Sequence, residues 1–216
     1  MPHDWVTKHD FVEEGSPNQG YKERGIGWYR MRFELSEEDR NKQILLEFEG
    51  MSCDSQVYVN GSILKHNYSG YNSFCVDMTD MANFGVIPNT LAVRIDASAW
   101  EGWWYEGAGI YRNVWLVKKS EVHLAHDGIF IKPELEDNTT WKVHVSAEIE
   151  NSFEYEHMVE VITCLYDQEG NLVGEAALTG KDIVCGYETA TVTGEIYVNN
   201  PILWSVKQPC LLYTSP

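Results

Sequence analysis

Apolar and polar residues alternate with a period of two along almost the whole chain. In WYRMRFEL (28–35), Tyr29, Met31, Phe33 and Leu35 fall on one face, while Trp28, Arg30, Arg32 and Glu34 fall on the other. That pattern predicts a half-buried strand. The same alternation marks QILLEFEG (43–50), SQVYVNGSIL (55–64), SFCVDM (73–78), NTLAVRID (89–96) and RNVWLVKK (112–119), each bounded by Gly, Asn, Asp or Pro. Strands at this spacing predict a sandwich or jelly roll. Asn60-Gly61 stands between two apolar runs, where a type I′ turn needs positive φ at both central residues, and so predicts a tight hairpin. SEEDRNK (36–42) and TDMANFG (79–85) are short and polar, and read as connecting turns.

Alternation resumes after Lys119. Val143, Val145, Ala147 and Ile149 share a face, and two strands flank the turn signal Asp-Gln-Glu-Gly-Asn at 167–171. TATVTGEIYV (189–198) and NNPILWSVKQP (199–209) supply further strand material. About seven short strands in this half suit an immunoglobulin-like topology. The expected architecture is all-β, with two sandwiches covering 1–119 and 120–216 and a boundary near 118–122.

Composition narrows the partners. Sixteen basic residues against thirty-three acidic ones give a net charge of -17, which repels phosphate backbones and anionic headgroups. Nucleic acid and membranes are therefore poor partners. No apolar run approaches membrane-spanning length, and MPHDWVTKHDF lacks the basic and apolar regions of a signal peptide. Cys53, Cys75, Cys164, Cys185 and Cys210 are scattered without a CxxC pair, so no zinc site or other metal site is expected. With so many acids, no pair of them stands out as catalytic, and no GxSxG elbow accompanies the histidines. Asp77 and Asp80 read as turn caps rather than a metal pair.

One segment needs separate treatment. WEGWWYEGAGIYR (100–112) sets three tryptophans and two tyrosines beside three glycines. Three readings compete: ordinary core, a platform stacking on sugar C–H faces, and a surface that meets another part of the protein. Because glycine weakens strand interiors, 100–108 is expected as a loop and Gly109 onward as the start of the strand ending near Lys118.

Six motifs in order, PHDW (2–5), GIGWYRMRF (25–33), LEFEGMSCDSQVYVNG (46–61), GYNSFCVDMTD (70–80), NTLAVRID (89–96) and WWYEGAGIYRNVWL (103–116), resemble the N-terminal domain of glycoside hydrolase family 2. NPILWSVKQP (200–209) resembles the closing motif of that family's immunoglobulin-like second domain. The resemblance implies a galactose-binding-like jelly roll followed by that second sandwich, and a β-galactosidase-like complete enzyme. A β-glucuronidase, a β-mannosidase or an independent carbohydrate-binding module are the alternatives. It also implies a (β/α)8 barrel carrying both catalytic glutamates as the partner of these domains, so no catalytic residue is assigned within this chain.

By the same resemblance, Asn60 reaches toward the substrate pocket, in addition to serving its turn. Glu101, Trp103, Trp104 and Tyr105 border that pocket or pack on the barrel. Some relatives carry an acid just ahead of the GIYR strand, near a cation, where the corresponding region here offers Trp103 with Glu101 and Glu106 nearby; this leaves a monovalent or Mg cation open for the complete enzyme, and no cofactor is evident in the chain itself. A β-linked carbohydrate is the implied substrate, and oligomerisation is left open. Arg112 is expected to be paired structurally. The tail CLLYTSP (210–216) coincides with the in-frame translation of a common transposase-derived sequencing adapter, so natural sequence is expected to end near Pro209. Family chains usually begin upstream of PHDW, so Met1 and the cellular compartment are left open.

Overall fold

The computed structural model describes residues 2–99, 102–207 and 213–215, and the chain divides into two compact units, Met1–Ser120 and Glu121–Pro216. Both are built from antiparallel strands, in agreement with the alternation.

The first unit contains β1 (Ile26–Phe33), β2 (Gln43–Phe48), β3 (Ser55–Val59), β4 (Ser62–Asn67), β5 (Phe74–Asp77), β6 (Asn89–Asp96) and β7 (Val114–Lys119). They form a four-stranded sheet ordered β1-β6-β3-β4 and a three-stranded sheet ordered β5-β2-β7. The inward residues of one sheet, Val57, Val59, Leu91, Val93 and Ile95, join Ile44, Leu46, Phe48 and Val76 of the other in one buried cluster. At the edge of that cluster Phe48 and Phe74 stack with ring centres 5.1 Å apart. Burying these side chains removes apolar surface from water at roughly 25 cal/mol per Å2, and this term holds the sandwich together.

Local chemistry closes the strands where the sequence predicts. Asn60 and Gly61 both have positive φ, +52° and +91°, and β3 and β4 form the hairpin. The polar segments after β1 and β5 become single 3-10 turns at Glu37–Asp39 and Thr79–Met81. Asp77 caps the second by accepting hydrogen bonds from the Thr79 N–H at 2.9 Å and its hydroxyl at 2.6 Å. Two expectations need adjustment. Met31 is 55% exposed although it shares the inward face of β1, because β1 lies at a sheet edge with only β6 beside it. The last strand begins at Val114 rather than Gly109, because the backbone of 109–112 turns inward to bond the loop at 50–52.

The second unit contains β8 (Val122–Leu135), β9 (Thr140–Asn151), β10 (His157–Met158), β11 (Val161–Tyr166), β12 (Leu172–Gly180), β13 (Ile183–Val184), β14 (Thr189–Asn199) and β15 (Tyr213–Ser215). Their order is β15-β11-β12-β14-β9-β8, with β10 and β13 as a separate pair. β12 runs along β11 over most of its length but meets β14 only at Thr179 and Gly180. There the sheet folds over itself, and a Cβ on Gly180 would lie 2.6 Å from the Thr191 carbonyl oxygen. Val143, Val145, Ala147 and Ile149 enclose the immunoglobulin-like core with Leu165, Leu178, Val192 and Ile196. Residues 201–207, expected as strand, form no continuous strand and pair only through a β-bridge at Ser205: Pro201 has no N–H to donate, and Ile202, Leu203 and Trp204 stand exposed. No disulfide joins any two of Cys53, Cys75, Cys164 and Cys185, and Cys210 lies outside the described residues.

One buried carboxylate ties a turn to a sheet. Asp39 accepts hydrogen bonds from Lys118 of β7 and from Lys42 at 2.9 Å, and takes part in the capping box with Ser36. The Lys118 bond, followed by that of Lys42, holds its carboxyl far below the usual carboxylate range. Its stabilisation is present above the unfolded pKa of about 3.9 and is lost as pH falls toward the depressed folded value. Asp39→Asn should cost about 1–2 kcal/mol at neutral pH, a figure reduced by water around the part-exposed lysines. Chemical denaturation of both proteins across pH should show this gap narrowing below about pH 4; a gap independent of pH would contradict the assignment.

Candidate functional site: the clamped aromatic loop

The segment between β6 and β7 is a loop held by side chains from the first 25 residues. Arg24 is the main clamp. Its Nη1 donates to the Ala99 carbonyl at 2.9 Å and to the Glu106 carboxylate at 2.8 Å, and its Nε donates to the Gly107 carbonyl at 3.1 Å. The Arg24 and Glu106 side chains are only 4% and 5% exposed, so one planar guanidinium ties both ends of the loop together in a largely water-free setting.

Two further side chains fix the middle. Gln19, itself buried, donates from Nε2 to the Trp104 carbonyl at 2.7 Å and accepts the Glu106 N–H at 3.2 Å. Asp4 accepts the Ala108 N–H at 3.0 Å and the Val6 N–H at 2.9 Å through Oδ1, while Oδ2 accepts the Tyr105 hydroxyl at 2.9 Å. Burial, then the bond to the Asp4 carboxylate, pushes the Tyr105 phenol up to about 12, so it remains a donor at physiological pH. The backbone accommodates this close approach only at glycine. Gly107 and Gly109 have φ of +68° and +131°, and a Cβ would lie 2.5 Å from Asp4 Oδ2 and 2.4 Å from the His3 carbonyl oxygen respectively.

The backbone clamp leaves the aromatic faces outward. Trp103 is 85% exposed, Trp104 57% and Tyr105 43%. Trp104 is oriented by donating from Nε1 to the Tyr71 hydroxyl at 2.9 Å, and Tyr111 donates to the Gly70 carbonyl. Trp104, Tyr105, Tyr71, Tyr111, Arg24 and Arg112 line a cleft of about 270 Å3. That is just under the roughly 300–1,000 Å3 of complete small-molecule pockets. Trp104 and Tyr105 form one wall of this cleft.

The sequence candidates divide accordingly. Trp104 and Tyr105 line the cleft, Trp103 projects beside it, and Glu101 lies outside the described residues. Asn60 is not among the residues lining this cleft. Its amide donates to the Met81 carbonyl at 2.6 Å and to Asn89 Oδ1 at 3.0 Å, and its oxygen accepts the Thr90 N–H at 2.8 Å, so its polar atoms secure the hairpin. Arg112 lies over the Tyr111 ring at 5.4 Å and donates to the Glu49 carbonyl at 3.4 Å, a structural pairing. Sequence reasoning missed Arg24, Gln19 and Tyr71, whose partners lie 82, 85 and 33 positions away. Asp4 and Tyr71 each carried one signal, their places in PHDW and GYNSFCVDMTD.

Among the described residues lining the cleft, Glu106 is the sole carboxylate, and Arg24 engages it. A retaining glycosidase needs two carboxyls about 5 Å apart, which this wall does not provide. Arg24→Met removes the guanidinium from the buried Glu106 carboxylate and should cost about 3–5 kcal/mol. Thermal denaturation reads this, and Arg24→Met with Glu106→Gln should recover part of the loss; a variant as stable as the parent would show that the clamp is not needed.

Residues 122–214 match the sequence profile described as Glycosyl hydrolases family 2. A β-galactosidase of Bacteroides ovatus is 34% identical over 99% of this chain, which covers 25% of that protein, and a putative β-glucuronidase of Formosa agariphila is 32% identical over 98% of the chain and 20% of that protein. Among solved structures, a β-glycosidase from Bacteroides vulgatus aligns over 99% of the chain and 27% of its own, with TM-score 0.85 and 30% identity. A glycosyl hydrolase family 2 member from Bacteroides cellulosilyticus aligns over 99% of the chain and 29% of its own, with TM-score 0.86 and 28% identity. The chain therefore spans about a quarter of the length of the curated relatives first matched. With both sandwiches matched in order, the chain belongs to glycosyl hydrolase family 2.

Proposed function

We propose that this chain is the N-terminal, non-catalytic portion of a β-galactosidase-like enzyme. The complete protein hydrolyses terminal β-glycosidic bonds with retention: one barrel carboxylate attacks the anomeric carbon while the other protonates the leaving oxygen, and water then resolves the glycosyl-enzyme intermediate. The clamped loop between β6 and β7 forms part of the wall beside that pocket or the seat on which the barrel packs.

A single observation carries the reading: a buried ion pair and two polar side chains immobilise the backbone of a loop whose Trp103, Trp104 and Tyr105 rings remain exposed. Ordering such a loop in advance lowers the entropy lost when another surface closes on it. The similarity to a β-galactosidase of Bacteroides ovatus supports the galactoside preference.

The 216-residue chain should release no chromophore from aryl β-galactosides or β-glucuronides above the buffer rate. Its tryptophan fluorescence should change little on titration with galactose. Turnover by the chain would overturn the reading. Saturable galactose binding below millimolar concentration would instead identify an independent carbohydrate-binding module.

A further inference from the structure

The alternation in WYRMRFEL sends Trp28, Arg30 and Arg32 to the face of β1 opposite the core, and the aromatic loop makes no use of them. They sit on the outer face of the four-stranded sheet. Across the β1–β6 ladder Trp28 faces Arg94, Arg30 faces Ala92 and Arg32 faces Thr90; across the β6–β3 ladder Arg94 faces Gln56 and Ala92 faces Tyr58. Ala92 is thus a low point surrounded by Trp28, Arg30, Tyr58 and Arg94. Over it the Trp28 and Tyr58 rings lean together, with centres 5.9 Å apart.

The charge of this face runs against that of the chain. Three of the six arginines lie here although the net charge is -17. Arg94 is held by Asp96 at 3.0 Å, whereas the side chains of Arg30 and Arg32 are exposed and form no hydrogen bond or ion pair among the described residues. Glu34, two positions beyond Arg32, is the other carboxylate in this alternation. Trp28 is 59% exposed, which is unusual for an aromatic that could have been polar without disturbing the core.

Size selects the occupant. Three strands about 4.8 Å apart and five residues at about 3.4 Å each give a patch on the order of 10 by 14 Å. A stable protein interface buries about 800 Å2 per partner, several times more. A strip of this width instead fits a few units of an extended polymer, with a flat apolar face for the Trp28–Tyr58 pair and anionic oxygens for two guanidinium forks. We infer that the outer face of the β1-β6-β3-β4 sheet, through Trp28, Tyr58, Arg30 and Arg32, is a binding surface for an acidic polysaccharide. It is separate from the clamped loop, and the carboxylate or sulfate of such a chain supplies the charge that this face lacks.

Affinity electrophoresis of the 216-residue chain through polygalacturonate, dextran sulfate and neutral galactan tests the assignment. Retardation by either acidic polymer, weakened by added salt and absent with galactan, is expected; the two acidic arms distinguish carboxylate from sulfate. Arg30→Gln/Arg32→Gln should lower the affinity by about tenfold or more, and Trp28→Ala should lower it further. Lys132→Gln/Lys181→Gln, removing the same charge from exposed positions of the second unit, should not. All three variants alter exposed side chains, and unchanged melting temperatures verify their folding. Absent retardation, equal retardation by galactan, or equal losses from the arginine and lysine pairs would overturn the proposal, as would a dimer in sedimentation that Arg30→Gln/Arg32→Gln dissociates. Of these outcomes only retardation by galactan bears also on the hydrolase reading, which rests on other residues and is read separately by turnover.

Discussion

One guanidinium sets the shape of the candidate surface. Arg24 reaches Ala99, Glu106 and Gly107 simultaneously, and so fixes the span of a loop that the two flanking strands leave open. A Lys could supply charge there but not three donors in a rigid plane. Because the pair with Glu106 is buried, its Coulombic gain is largely offset by desolvation, so its main contribution is definition of a single loop conformation rather than net stability. Gln19 and Asp4 extend that definition to the backbone on which Trp104 and Tyr105 are mounted.

This arrangement separates two tasks within one unit. The apolar core between the sheets supplies stability, using residues whose burial follows the alternation of β2, β3 and β6. The N-terminal 25 residues supply positioning: little of their surface joins the main core, yet they place three side chains against the loop. Aromatic surface can therefore stand exposed without collapsing inward. A wall that is rigid before its counterpart arrives suits the pocket proposed above, and the chain spans about a quarter of the length of the relatives first matched.

Much of the scaffold was legible because side-chain burial in a strand has a strict period. Val143, Val145, Ala147 and Ile149 are all buried, and the Asn60-Gly61 turn has the two positive φ values that its residue types favour. Departures occur where neighbours rather than periodicity decide. Met31 is exposed because β1 is an edge, and 109–112 leave the strand ladder to bond the loop at 50–52. The site was legible only in part. WEGWWYE announced aromatic surface, but a side chain whose partner lies 82 or 85 positions away leaves no periodic trace, so Arg24 and Gln19 appear as an ordinary basic and an ordinary polar residue in sequence.

The central claim is that the loop is ordered before anything docks against it, and amide hydrogen exchange measures this directly. The Glu106, Ala108 and Gly109 amides, bonded to Gln19, Asp4 and Ser52, should exchange as slowly in the isolated chain as amides of β6, opening only with the unit as a whole. Exchange of these three at the rate of unstructured peptide, while β6 stays protected, would contradict the account.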